Sequence, residues 1–258
     1  MEGEELLIEQ KDKIAFLYIN RPEKFNALNI SLLNKINITL RAISKNDKIR
    51  VIILTGIGEK AFAAGADILE FSEFKSKEAM ELSKNGKEKV FDFIEDFSKP
   101  VIAAINGYAL GGGLELALSC DIRIASDNAL MGFPETSLGT IPGYGGTYRL
   151  AEIVGKGIAK EMILTCRKIS AKEALEIGLI SYLTEKNQLL DKATEVANQI
   201  IMNSPNAVNS AIKAINYSGR DSKKNCSEIE SKYFSKCFDH PEFKKGVSAF
   251  LNKQKPNF

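Results

Sequence analysis

The chain has 258 residues, of which 44% are hydrophobic and 26% are charged. This length can bury a large core without disulfides or metals, and the composition excludes collagen-like, coiled-coil and disordered proteins. The 35 basic and 33 acidic side chains nearly cancel, so we expect neither nucleic acid nor a membrane surface as a partner. The acidic first ten residues lack the basic and apolar regions of a signal peptide, and no apolar run is long enough to span a membrane. We therefore expect a cytoplasmic protein.

Histidine and cysteine are too scarce for most metal or thiol chemistry. The one histidine, His240, lies in the polar stretch CFDHPEF near the C-terminus, where a solvated role is expected. No C-x-x-C pair occurs among the four cysteines, Cys120, Cys166, Cys226 and Cys237. This spacing argues against zinc ribbons, redox motifs and a disulfide framework. We expect no metal site, and any chemistry must use carboxylates, hydroxyls, lysines or the backbone.

The first hundred residues alternate between strand and helix patterns. Residues 5–19 predict two short strands joined by a tight turn, and 30–44 carry apolar residues at helical spacing. The apolar, β-branched run at 51–56 predicts a buried strand. A second helix fits residues 76–97.

The alternation continues to about residue 185. Residues 100–107 predict another buried strand, which is followed by a helix over 110–120 that begins with glycines. Further short strands and helices are predicted at 121–125, 129–132, 146–154, 157–165 and 170–178, the last with a capping box at its start. Only helices are predicted after residue 188. The pattern therefore predicts an α/β body over residues 1–190 and a helical C-terminal region over 191–258.

Two long windows each contain one charged residue. Residues 100–120 contain only Glu115, and residues 128–148 contain only Glu135, where the average composition would give about five charges in each window. Burial of an unpaired carboxylate costs several kcal/mol or raises its pKa until it is protonated. Each glutamate alone could be structural, as a hydrogen-bonded residue at a helix start or as a turn residue after proline. Together they favour a paired acid–base site.

Glycine-rich segments lie close to both carboxylates in the sequence. The glycines at 111–113 lead directly into a predicted helix, whose first N–H groups suit an anion or a developing oxyanion. The small residues of AFAAGADI (61–68) permit close approach of the backbone to a ligand, although a tight packing turn explains them nearly as well. GYGGT (143–147) is too short for a dinucleotide fingerprint.

These stretches resemble the crotonase (enoyl-CoA hydratase/isomerase) superfamily. The matching segments are NRPEKFNALN (20–29), AFAAGADI (61–68), PVIAAINGYALGGGLELALSCDIRIAS (100–126), GFPETSLGTIPGYGGTYRL (132–150), SAKEALEIGLI (170–180) and SAFLNKQKPNF (248–258). The resemblance implies a crotonase-like α/β fold, a spiral of ββα turns with a C-terminal helical trimerisation region. It also implies a homo-oligomer, usually a trimer or a dimer of trimers. The substrate would be an acyl-CoA thioester, with coenzyme A as part of the substrate and no separate cofactor.

The resemblance also assigns roles to residues. It places the thioester oxygen between the backbone N–H groups of Ala66 and Gly112, as an oxyanion hole. It places the two glutamates of the hydratase branch at Glu115 and Glu135, the pair that charge isolation indicates independently. The implied reaction is reversible addition of water to a trans-2-enoyl-CoA, which gives a 3-hydroxyacyl-CoA in fatty-acid or butyrate-type metabolism.

Further substrate contacts are expected from the same motifs. Leu69 stands where many members have a lysine near the CoA phosphates, so Lys24 could supply that contact. Tyr144 replaces a small residue found in some hydratases and would narrow the acyl pocket, which favours short chains. Phe250 and Lys253 match positions near CoA, partly from a neighbouring subunit. The remaining expected contacts are Ala27, Ala64, Asp67, Ile68 and Phe234.

Two alternatives stay open at the level of sequence. A double-bond isomerase of the same fold typically needs one carboxylate, so two isolated glutamates argue against it. A non-catalytic CoA- or RNA-binding homologue is the other alternative. RNA binding would need a lysine-lined helix, whereas the basic residues of 30–50 are scattered and are typical of a solvated face.

Overall fold

The computed structural model describes residues 4–218 and 223–258. In these ranges the strands are β1 (Leu6–Lys11), β2 (Ile14–Ile19), β3 (Val51–Gly56), β4 (Ala61–Ala63), β5 (Val101–Ile105), β6 (Tyr108–Leu110), β7 (Ile122–Ser126), β8 (Leu130–Gly132), β9 (Lys168–Ser170) and β10 (Tyr182–Thr184). The helices are α1 (Ile30–Ser44), α2 (Ser76–Gly86), α3 (Asp92–Glu95), α4 (Gly112–Ser119), α5 (Gly146–Thr165), α6 (Ala171–Glu176), α7 (Leu189–Ile201), α8 (Pro205–Ser218), α9 (Lys223–Asp239) and α10 (Pro241–Leu251).

A six-stranded sheet in the order β1-β2-β3-β5-β7-β10 forms the centre of the body. Only β1 runs antiparallel to its neighbour, and in the middle Ile53 of β3 lies beside Phe16 and Ile102. Ile52 and Leu54 point into one hydrophobic cluster, whereas Val51 and Ile53 point into another. Because both faces are buried, the central strands read as continuous apolar runs rather than as alternating ones.

Amphipathic helices supply the other side of each cluster. On α1 the buried residues Leu33, Ile36, Leu40 and Ile43 follow helical spacing. Helix α7 covers the opposite face of the sheet with its own apolar stripe, Leu189, Ala193, Val196 and Ala197. The predicted division between body and C-terminal region at residue 190 therefore falls just inside a helix that packs on the sheet, and it stays a prediction.

A second sheet has four strands in the order β4-β6-β8-β9. Two of them, β6 and β8, lie in the charge-poor windows 100–120 and 128–148. Helix α4 lies very close to this sheet. A methyl group on Gly113 would come within 1.8 Å of the carbonyl oxygen of Ala63 on β4. Only glycine permits that approach, so the last glycine of the run 111–113 is fixed by packing.

The predicted alternation of strand and helix is confirmed, with local differences. The helix predicted over 76–97 contains a π-helical turn at Lys87–Phe91. The pair predicted at 146–154 and 157–165 is α5, which kinks at Gly155. Strands β4, β6, β9 and β10 were not predicted, and Leu110 belongs to β6 rather than to the following helix. Each of these strands has three residues, too few for a periodic pattern to stand out.

Three helices, α8 to α10, form the C-terminal region, and no residue is fully buried over 224–239 of α9 or in α10 in this single chain. Within the described ranges, no helix combines the length and the apolar character needed to cross a membrane.

Candidate active site

Glu115 lies in the first turn of α4 and is 1% exposed. Its Oε1 accepts hydrogen bonds from the backbone N–H groups of Tyr144 and Gly146, each at 2.7 Å. Burial raises the pKa of this carboxyl, while the two amides and the charge of Arg149 oppose the rise. The carboxylate is therefore fixed in direction by the loop that precedes α5.

Glu135 follows Pro134 and opens a short 3₁₀ turn, Glu135–Leu138. Its carboxylate lies against Gly111, since a methyl group on Gly111 would be 2.6 Å from Oε1. The other oxygen, Oε2, is buried and has no hydrogen-bond partner in the part of the chain that the structure describes. Burial, together with the charge of Glu115, raises the pKa of Glu135 from 4.5 to about 7. Such a group exchanges protons readily near neutral pH.

Glu115 and Glu135 both adjoin the start of α4, and the charge of Glu115 acts on the carboxyl group of Glu135. Glu135 contacts Gly111, and the amide of Glu115 donates to the carbonyl of Gly111 at 2.9 Å. Both acids therefore adjoin the first turn of the same helix, although they are far apart in the sequence. Charge isolation in the sequence had indicated this pair.

Two backbone N–H groups lie next to the acids. Gly112 is the first residue of α4, where an N–H group has no acceptor inside its own helix. The N–H of Ala66 donates no backbone hydrogen bond within residues 4–218 and 223–258. A methyl group on Gly112 would be 3.5 Å from the nitrogen of Ala66. The backbones of Gly112 and Ala66 are therefore neighbours, and the pairing of Leu28 with the segment around Ala66 holds Ala66 in place.

The ring of Tyr144 fills the space beside these amides. Tyr144 is 7% exposed and stacks on Phe91 with ring centroids 4.7 Å apart and planes 11° from parallel. A methyl group on Gly112 would be 3.6 Å from its Cδ2. Burial raises the pKa of Tyr144 to about 12, so the phenol stays neutral and acts as an apolar wall.

The other predicted contact residues fall into two groups. One group surrounds Ala66, where Asp67 pairs with Arg21 at 2.9 Å and with Lys24 at 3.1 Å. This group also contains Ala27, Ala64 and the half-exposed Ile68. Leu69, in the place of the family's lysine, is 81% exposed.

The second group lies on the C-terminal helices and does not meet the acids within this chain. Phe234 and Phe250 are 66% and 82% exposed, and Lys253 follows α10 in a left-handed backbone conformation. None of the three makes a hydrogen bond or ring contact to Glu115 or Glu135 among the described residues. Their contribution across a subunit boundary stays a prediction.

Arg149 is the polar residue at this site that the sequence did not indicate. Its guanidinium is buried and holds the loop that binds Glu115. Arg149 directly follows the charge-poor window, which ends at residue 148. The sequence does not show that Arg149 is buried, so it was not recognised as part of the site. No group of three or more His, Cys, Asp or Glu side chains suited to a metal ion occurs among the described residues.

One buried and one half-buried carboxyl group beside two neighbouring backbone amides can add and remove protons next to a carbonyl whose oxygen the amides hold. The fold and the site therefore define the class as an acid–base enzyme of the α/β type. Comparison with known proteins identifies the family. Residues 9–258 match the family model described as enoyl-CoA hydratase/isomerase, and the chain belongs to that family.

The relatives match over nearly the whole chain. A short-chain-enoyl-CoA hydratase of Clostridium acetobutylicum is 44% identical, over 99% of this chain and 97% of its own length. A crotonyl-CoA hydratase of Syntrophomonas wolfei is 42% identical, over 100% and 99%. A solved enoyl-CoA hydratase of Bacillus anthracis superposes with a TM-score of 0.92 at 37% identity, covering 99% of each chain. These matches confirm the predicted family and the predicted crotonase-type fold with its helical C-terminus.

Proposed function

We propose that this chain is an enoyl-CoA hydratase that acts on short acyl chains. It adds water reversibly to a trans-2-enoyl-CoA and forms a 3-hydroxyacyl-CoA. The observation that carries the proposal is the meeting of Glu115 and Glu135 at one helix turn, beside the amides of Ala66 and Gly112. The hydratase names of the similar proteins from Clostridium acetobutylicum and Syntrophomonas wolfei support it.

The amides would polarise the substrate. If the thioester oxygen accepts hydrogen bonds from Ala66 and Gly112, electron density leaves the β-carbon, and the enolate that forms on attack is stabilised. The positive end of α4 adds to this effect. Loss of one such donor typically lowers a rate by about 100- to 1000-fold.

The two glutamates would divide the proton transfers. Glu115, whose Oε1 is held by two amides, accepts a proton from water as the water oxygen bonds to the β-carbon. Glu135, protonated because of its raised pKa, delivers a proton to the α-carbon. The two exchange roles in dehydration. Transfer of the proton from Glu115 to Glu135, directly or through water, then restores both carboxyl groups. Over the whole cycle one water molecule supplies all the added atoms, so coenzyme A as part of the substrate suffices and no separate cofactor is required.

The short-chain preference rests on Tyr144. Its ring stands beside Gly112 and is held by Phe91, so space for the acyl group ends close to the reacting carbons. Contacts to the CoA moiety would come from the Ala66 group, which includes Lys24, and from Phe234, Phe250 and Lys253 of the same or a neighbouring subunit. A trimer or a dimer of trimers and a cytoplasmic location also belong to this proposal.

The test is hydration of crotonyl-CoA, followed by the loss of ultraviolet absorbance of the conjugated thioester. Glu115→Gln and Glu135→Gln should each lower kcat by at least about 100-fold. Glu152→Gln, at an exposed position on α5, is the matched control and should retain wild-type activity. Near-normal turnover by either site variant removes that residue from the mechanism. Proton NMR of the product separates the reactions, since a shifted double bond instead of a 3-hydroxyacyl thioester would indicate an isomerase.

A further inference from the structure

The loop that binds Glu115 is itself held from its other side by one arginine. Residues 143–146 turn so that the N–H groups of Tyr144 and Gly146 reach the carboxylate. The carbonyl of Tyr144, which lies between those two N–H groups along the chain, accepts a hydrogen bond from Arg149 Nη1 at 2.8 Å. A shift of this carbonyl would therefore rotate the peptide groups that orient Glu115.

The guanidinium is fixed by two carboxylates of α3. Nη2 of Arg149 lies 2.7 Å from Asp92 and 2.6 Å from Glu95, and Nε donates to Glu95 at 2.9 Å. Arg149 is 3% exposed, whereas the Asp92 and Glu95 side chains are 32% and 17% exposed, so the guanidinium is removed from solvent and its carboxylate partners are partly buried. A planar guanidinium with several directed donors suits such a site, whereas an ammonium group cannot reproduce the geometry.

The backbone leaves room for this arrangement. Gly145 precedes α5 with φ of 105°, and a methyl group there would come within 2.2 Å of Arg149 Nη1. The backbone amide of Arg149 donates to the carbonyl of Gly145 at 3.0 Å. The helix start, the arginine and the loop thus form one unit, which we call the Arg149 clamp: Arg149, Asp92, Glu95 and the loop 143–146.

We propose that Arg149 is a positioning residue of the hydration reaction, which holds the Tyr144 carbonyl and keeps Glu115 oriented and ionised as the base. The inference rests on the proposed function, because it concerns the same acid pair. The positive charge of Arg149 also favours the ionised form of Glu115, against the effect of burial. Other charged and titratable groups facing this unit are Glu135, Tyr144, Tyr148, Lys87 and Cys120.

Arg149→Met tests the clamp in the full-length protein. We expect kcat for crotonyl-CoA to fall about 10- to 100-fold, because misplacement of a catalytic group by about 1 Å has an effect of that size. KM should stay within about twofold, since the Arg149 side chain is not among the proposed substrate contacts. Without the arginine the Glu115 carboxyl is harder to ionise, so the acid limb of the kcat–pH profile should move to higher pH. Arg149→Lys keeps the positive charge, so the acid limb should lie at its wild-type pH. Its kcat should stay low, because an ammonium group does not reproduce the contacts of the guanidinium.

A second variant gives a shift of opposite sign. Glu95→Gln leaves the guanidinium in place but removes a negative charge from it, so the acid limb should move to lower pH. A purely structural tie between α3 and α5 would not produce opposite shifts. Arg167→Met is the matched control. Arg167 also pairs with two carboxylates, Glu161 and Glu173, but it makes no hydrogen bond to either catalytic glutamate among the described residues, so its removal should leave the profile unchanged.

The outcomes separate the two proposals. A wild-type protein that hydrates no enoyl-CoA refutes the proposed function, and NMR titration of the Glu115 carboxyl in wild type and variants then decides the clamp alone. Unchanged kcat and an unchanged acid limb in folded Arg149→Met refute the clamp. If Arg149→Met does not fold, the Lys and Glu95→Gln variants decide it. An acid limb of Glu95→Gln that stays in place or moves to higher pH overturns it, and so does a wild-type kcat in Arg149→Lys.

Discussion

Replacement of Tyr144 by alanine should both destabilise the protein and lengthen the substrates it accepts. The ring is 7% exposed and packs face to face with Phe91 at 4.7 Å. Truncation of a buried aromatic side chain costs about 3–5 kcal/mol, of which the ring pair itself accounts for about 1 kcal/mol. The cavity opens beside Gly112, where a longer acyl chain can enter. The main-chain N–H that binds Glu115 is retained in this variant.

The assay compares enoyl-CoA substrates of four to ten carbons, together with urea unfolding of the free protein. We expect the ratio of kcat/KM for eight carbons to that for four carbons to rise about tenfold or more, because several buried CH₂ groups gain about 0.8 kcal/mol each. Tyr144→Phe keeps the ring and is the matched control, with a wild-type ratio. A folded Tyr144→Ala protein with an unchanged ratio would refute the assignment of Tyr144 as the wall of the acyl pocket.

Two further predictions concern α4 and the acid pair. Gly113→Ala places a methyl group 1.8 Å from the carbonyl oxygen of Ala63. It should lower the free energy of unfolding by about 1–3 kcal/mol or more and abolish hydration. Wild-type stability in urea would contradict the close packing of α4 on β4. Burial raises the pKa of Glu135 from 4.5 to about 7 in the folded chain. Ionisation of this carboxyl therefore destabilises the folded state, and the loss of stability is absent below pH 4.5 and complete above pH 7. Glu135→Gln should therefore be more stable than wild type at pH 8 and equal to it at pH 4, and an equal difference at both pH values would show that the carboxyl carries no such penalty.

The sequence predicts the parts of this protein that depend on burial of many residues. Strands β3 and β5 are buried on both faces, and their apolar runs are visible without a structure. Glu115 and Glu135 stand out because each is the one charged residue in a window of 21 residues. The resemblance to the crotonase superfamily adds Ala66 and Gly112, which no side-chain pattern reveals, because their function lies in the backbone.

Tertiary contacts determine what the sequence did not predict. Strands β4 and β6 have three residues each and exist because they pair with each other, not because of their own propensity. Arg149 finds its carboxylate partners more than fifty residues earlier in the chain. Neither the pairing of β4 with β6 nor the ion pairs of Arg149 can be recognised from the neighbouring sequence. A charged residue at the edge of a charge-poor window, such as Arg149, is a signal that could be sought in other sequences.

The central claim is that both glutamates act on one substrate whose oxygen is held by backbone amides. The most direct measurement is a crystal structure of the Glu135→Gln variant with crotonyl-CoA bound. We expect the thioester oxygen at about 2.7–3.1 Å from the nitrogens of both Ala66 and Gly112. The carboxylate of Glu115 and the amide of residue 135 should face the double bond. A thioester bound elsewhere, or an oxygen that meets neither amide, would contradict the account.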